Sequence, residues 1–137
     1  MTNAVATGPT TTRRSTTRAG WIVTGLISAF MLSDSVGKLL VIEPVREAMD
    51  VLGYPVYQSR LIGAVLLVCL ALYLIPRTAV LGALLTACYC GGAEAAQIRI
   101  ESPIFSLIFP IACGVLIWLG LWLRDERVRA LLPLRRG

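Results

Sequence analysis

The sequence predicts an all-α integral membrane protein, a four-helix bundle with both termini in the cytoplasm, and three observations predict it. First, the 137 residues are 56% hydrophobic and 15% charged, with a mean hydropathy of +0.74, far from the composition of a soluble domain of this length. Second, the chain contains four apolar windows of roughly the 20 residues needed to cross a hydrocarbon core. These run over about 20–42, 58–75, 78–98 and 103–123. Third, the basic residues are unevenly divided between the two sides. Arg13, Arg14, Arg18, Arg77, Arg124, Arg127, Arg129, Arg135 and Arg136 fall on the side of the termini, against Arg46, Arg60 and Arg99 on the other. Nine against three sets the nine in the cytoplasm, and an even number of spans returns the chain to the side it started from. The net charge of +5 is therefore topological, with anionic lipid rather than nucleic acid as the expected surface contact.

Residues 1–19, Thr-rich and carrying three arginines, read as a disordered cytoplasmic head. The first span follows. Its stretch FMLSDSVGKLLVI, Phe30 to Ile42, places Asp34 and Lys38 in an otherwise apolar segment. A cleaved signal peptide is the competing explanation, since the basic head precedes an apolar core and Ser33 and Ser35 are small enough for a cleavage site. The apolar run continues through Val36 to Ile42, however, where a mature amino terminus is usually polar, so residues 20–42 read as one uncut helix. Lys38 then lies about 6 Å and Asp34 about 12 Å below the outer end of the span. At i, i+4 they share a face and can pair.

The outer segment EPVREAMDVLGYP predicts a short amphipathic helix in the first outer loop. Pro44 suits a first helical turn, Gly53 the position just past a helix end, and Val45, Met49 and Leu52 form one apolar face. Such a helix would lie on the outer membrane surface as a connector or a lid. The second span carries no deep charge. The third, VLGALLTACYCGGAEAAQIRIESP, places Glu94 and Gln97 at i, i+3 near its outer end, level with Asp34 and Lys38. The fourth contains Pro110, which more often marks a kink than a gate. Residues 124–137 form a basic cytoplasmic tail. Trp21, Tyr73, Trp118 and Trp122 are expected at the inner interface, and Tyr54 and Tyr57 at the outer.

Asp34, Lys38, Glu94 and Gln97 are the candidate intramembrane site, with Glu43 and Arg99 as a possible rim. Small residues at four-residue spacing, Gly25, Ala29, Ser33 and Gly37 on the first span and Gly82, Thr86 and Cys90 on the third, would let these two helices pack side by side. Two readings of the cluster stand together. It fixes the bundle's register as a buried ion pair with a hydrogen-bonded neighbour, or it forms a substrate, proton or partner site, the usual meaning of intramembrane charges.

Cys69, Cys88, Cys90 and Cys113 all lie within spans and form no C-x-x-C pair, so they read as small packing residues. There is no histidine, no metal-binding pattern, and no phosphate-loop or nucleophile-elbow motif. No cofactor is evident.

Ser35-Val36-Gly37-Lys38, Leu52-Gly53-Tyr54-Pro55, Leu61-Ile62-Gly63-Ala64 and Gly91-Gly92-Ala93-Glu94-Ala95, followed by Arg99, Pro103 and Phe105, occur in an order and spacing that resembles the DoxX-like family. This is a family of small four-helix bacterial membrane proteins, and the similarity covers about Gly20 to Asp125. Two positions depart from it: Val65, Leu66 and Leu67 stand where members often carry an acid, and Gln97 where they often carry a histidine. The family takes its name from a subunit of a thiosulfate to quinone electron-transfer enzyme, and some relatives look like membrane partners of redox or thiol-stress enzymes. The resemblance implies a non-catalytic subunit or assembly partner of a redox-related membrane complex, as a homo-oligomer or with another protein. The alternative it implies is a quinone-handling oxidoreductase component, with Asp34 or Glu94 moving protons and Lys38 or Gln97 binding an oxygen. A small transporter is a third reading, though no inverted repeat accompanies it.

Overall fold

In the computed structural model, which describes residues 10–131 and the side chains of 14–130, every regular element is a helix. They are α1 (Thr10–Leu40), α2 (Glu43–Leu52), α3 (Val56–Leu74), α4 (Ala79–Arg99), α5 (Ile104–Arg124) and α6 (Glu126–Leu131). Four of them, over 14–40, 56–74, 79–99 and 104–124, are long and apolar enough to cross a membrane. Nineteen residues, the shortest of these, rise about 28 Å, close to the thickness of a hydrocarbon core. Their outer faces are apolar too, with Leu26, Leu61, Val68 and Val115 all more than half exposed. A helix that is hydrophobic all round suits lipid as its solvent.

The first helix begins earlier than the apolar window requires. Residues 10–19, expected to be irregular, are helical; the rest of the expected disordered head, and the tail beyond 131, lie outside the described residues.

Three helix ends share one hydrogen-bond pattern, in which the chain reverses into a left-handed residue and the next amide reaches back five positions. Tyr54 N bonds Met49 O at 2.9 Å, Ile42 N bonds Gly37 O at 3.2 Å, and Ser102 N bonds Gln97 O at 3.1 Å. The left-handed residue is Gly53 in the first case, where glycine has no Cβ to clash. In the other two it is Val41 (φ 53°) and Glu101 (φ 52°).

The four long helices form a ring in the order α1, α3, α4, α5, each packing on its two neighbours. The first and third spans, α1 and α4, therefore sit across a diagonal. This corrects the expectation that their small residues bring them side by side. The reason is connectivity: short links, such as Ile75–Thr78 between α3 and α4, make consecutive helices antiparallel neighbours and leave parallel ones opposite each other. The small residues serve other contacts. Gly82 lies so close to Tyr73 on α3 that a Cβ would collide with its backbone, and Gly37 faces Ile42 and Val45 instead of α4. Gly25, Ala29 and Ser33 face outward.

Ile27, Met31, Leu66, Leu70, Tyr73, Ile117 and Leu121 fill the centre. Tyr73, expected at the inner interface, is fully buried within the bundle near the C-terminal end of α3. Its hydroxyl finds polar partners inside the bundle, donating to Ile117 O at 2.9 Å with Thr24 Oγ1 3.4 Å away. Arg124 stacks on the rings of both Tyr73 and Trp21 and donates to Tyr73 O at 2.8 Å. A cation is thereby set on the C-terminal carbonyls of α3, where the helix dipole favours positive charge.

Candidate functional site

Asp34 and Lys38 follow one another by a helical turn on α1, and the Lys38 ammonium donates to Asp34 Oδ2. The pair is held from α3. Ser59 Oγ donates to Lys38 O at 3.0 Å and Ser35 Oγ to Gly63 O at 2.7 Å. Gly63 lies against the lysine stem, and a Cβ there would approach Lys38 Cβ to 2.9 Å. Both serines are fully buried, so their hydroxyls need these carbonyl partners. The Lys38 side chain is 17% exposed and that of Asp34 34%.

These two charges open onto a cavity of about 310 Å³. It is also lined by Tyr89, Cys90 and Gln97 of α4 and by Phe105, Ser106, Phe109 and Cys113 of α5. Pro110 lies at the same level; lacking an N–H, it cannot donate to the Ser106 carbonyl one turn earlier, which loosens α5 beside the cavity. Gln97 is oriented by Ser102, whose hydroxyl donates to Gln97 Oε1 at 2.6 Å. Its amide nitrogen is left as a donor, and Lys38 and Gln97 both line the cavity.

The structure thus brings together Asp34, Lys38 and Gln97, although their helices are diagonal. Glu94 goes elsewhere. It lines a separate groove of about 750 Å³ between α4 and α5. About 60° of helical rotation separates positions three apart, enough for Gln97 to reach the cavity while Glu94 reaches the groove. Cys90 borders both. Of the expected rim, Arg99 donates to Leu52 O and stacks on Tyr54 at 5.3 Å, tying the end of α2 to α4. Glu43 stands exposed in the first turn of α2. Neither lines the cavity.

Tyr89, Ser106 and Ser59 were not singled out in the sequence, and Ser35 only as a small residue of a possible cleavage site and as part of the family resemblance. Ser106 had one available signal, its position four residues before Pro110; single serines and tyrosines in apolar helices are otherwise uninformative. Cys69, Cys90 and Cys113 are buried and Cys88 faces outward, all as free thiols. Among the described residues no three Cys, Asp or Glu side chains gather as a metal site.

Residues 22–120, well over half the chain, match the sequence model of the DoxX-like family. Comparison with curated proteins and with solved structures gives no match.

Proposed function

The chain belongs to the DoxX-like family, and from that premise we propose that it is a non-catalytic membrane subunit or assembly partner of a redox-related complex in the cell membrane. The observation that supports this reading is the placement of its small residues. Gly25, Ala29 and Ser33 on α1 and Cys88, Gly92 and Ala95 on α4 recur at helical spacing and face outward, with open space over Gly25 and Gly92. In lipid such faces allow a partner helix to approach closely. Native mass spectrometry after gentle extraction tests this. A stoichiometric second protein, or a second copy of the chain, that is lost in Ala29→Leu while the bundle stays folded supports the reading; a lone bundle overturns it.

A second reading, a quinone-handling oxidoreductase component, is favoured by the cavity. Lys38 and Gln97 offer hydrogen-bond donors to a carbonyl oxygen, and Asp34 sits beside them as a proton carrier. A quinone released from the native protein in stoichiometric amount, and lost in Lys38→Met, would favour this over the first. Both readings set the termini in the cytoplasm, on the strength of nine basic residues against three. A reporter that works only in the cytoplasm should be active when fused to either end and silent when inserted beside Glu101.

A further inference from the structure

The groove between α4 and α5 exposes almost only apolar surface, and Glu94 Oε2, the one carboxyl oxygen turned towards the helix interior, is enclosed by the protein. A Cβ on Gly91 would meet nothing within 4 Å, which leaves an open trough. Along α5 it runs from Pro110 to Trp122, a rise of about 18 Å. One leaflet is half of the roughly 30 Å hydrocarbon core, about 15 Å. The trough starts at the end of the bundle that bears α6 and stops at Pro110, about 9 Å short of the far end of α5. A partner helix would cross the whole core, whereas an acyl chain fills one leaflet.

At its near end the trough meets a fixed cation. Val128 of α6 is buried and lines the trough, and Arg129 follows it. The Arg129 guanidinium lies 5.5 Å from the ring centroid of Trp122, a wall of the trough. It donates from Nε to Trp122 O at 3.3 Å and from Nη2 to Leu123 O at 2.5 Å. These bonds use two of its five N–H groups and hold the planar fork in place. Arg124, Arg127 and Arg129 outnumber Asp125 and Glu126 along this turn, so the mouth is net positive. An arginine fork at the mouth of an apolar trough matches phosphate oxygens carried on a hydrocarbon chain. A zwitterionic head group brings its own cation to the same arginine, so an anionic one is favoured.

We propose that the α4–α5 groove is a binding site for one anionic phospholipid, whose phosphate sits on Arg129 while an acyl chain lies along Trp118 and Gly91. This does not depend on the subunit reading, which rests on other residues.

The test uses the full chain in phosphatidylcholine nanodiscs, with Trp21→Phe to confine indole fluorescence to Trp118 and Trp122. The probes are phosphatidylglycerol and phosphatidylcholine carrying the same dibromostearoyl chain, equal in quencher and differing in head-group charge. The phosphatidylglycerol is expected to quench at about five-fold lower mole fraction, the ratio that one basic residue provides near an anionic head group. Arg129→Gln should remove most of that preference. Arg18→Gln, which takes an exposed charge from α1, diagonally opposite α4, should leave it unchanged. Gly91→Leu, which fills the trough without a clash, should weaken quenching by both lipids. Equal quenching by the two lipids in the parent protein overturns the proposal, as does an equal loss in Arg129→Gln and Arg18→Gln, the signature of a diffuse attraction to the basic end. So does an unchanged response in Gly91→Leu, which remains decisive should Arg129→Gln not fold.

Discussion

The hydroxyl of Tyr73 donates to the carbonyl of Ile117, 2.9 Å away, and so joins α3 to α5, helices that face each other across the bundle instead of packing as neighbours. Thr24 of α1 lies 3.4 Å from the same hydroxyl, and Gly120 leaves room for both, since a Cβ there would come within 2.8 Å of Thr24 Oγ1. Three helices meet at one oxygen. Tyr73→Phe should cost about 1 kcal/mol, the usual net value of a hydrogen bond and close to interhelical values in membranes. Thermal unfolding in detergent measures it. A neutral result would mean the hydroxyl is replaceable by packing.

Asp34→Asn should destabilise the bundle by on the order of 2 kcal/mol. This is below the roughly 3–5 kcal/mol of a fully buried pair, because Asp34 is 34% exposed. The loss arises from leaving the Lys38 ammonium unpaired, so Asp34→Asn with Lys38→Met should be more stable than Asp34→Asn alone. A double-mutant cycle decides it; additive losses would show that the two side chains do not depend on each other.

Gly82 inverts a helix-propensity rule. In an open helical position Gly→Ala gains up to about 1 kcal/mol, and Gly92→Ala, which has open space around it, should show that gain in the isolated bundle. Gly82→Ala should instead lose about 1–3 kcal/mol, because its Cβ would strike the Tyr73 backbone. Comparing the two unfolding midpoints tests whether α3 and α4 touch as closely as described.

Val41 holds a φ of 53°, a conformation that costs a β-branched residue on the order of 1–3 kcal/mol. Val41→Gly should raise stability by roughly 1 kcal/mol after the greater chain entropy of glycine is subtracted. A fall in midpoint would mean that the valine side chain contributes more by packing than its backbone loses.

Arg99 anchors α2 through Leu52 O and the Tyr54 ring. Arg99→Met should speed hydrogen exchange in Glu43–Leu52 several-fold while leaving α3 to α5 unchanged, consistent with about 1 kcal/mol for an exposed cap and cation–π contact. Uniform loss of protection across all helices would show that the contact holds the whole bundle.

The extent of the four spans was legible because it depends on local quantities. A run of apolar residues long enough to match the hydrocarbon core must be helical to satisfy its own backbone. The windows near 58–75, 78–98 and 103–123 accordingly agree within a few residues with Val56–Leu74, Ala79–Arg99 and Ile104–Arg124. The start of α1 was less legible, since polar residues such as Thr16 and Arg18 carry no hydropathy signal and yet can continue a helix. The i, i+4 pairing of Asp34 with Lys38 was legible for the same local reason.

What the sequence by itself determined, then, is an all-helical membrane protein with two charges at a readable depth. Only the tertiary structure decided which helices are neighbours, and with it the division of the polar residues. Depth along a span follows from counting residues, but direction around it depends on which helices stand on either side. A rotation of about 60° sends Gln97 to the cavity of Lys38 and Glu94 to the groove beside Trp118. In a uniformly apolar helix no hydrophobic stripe records that rotation, because lipid and core accept the same side chains.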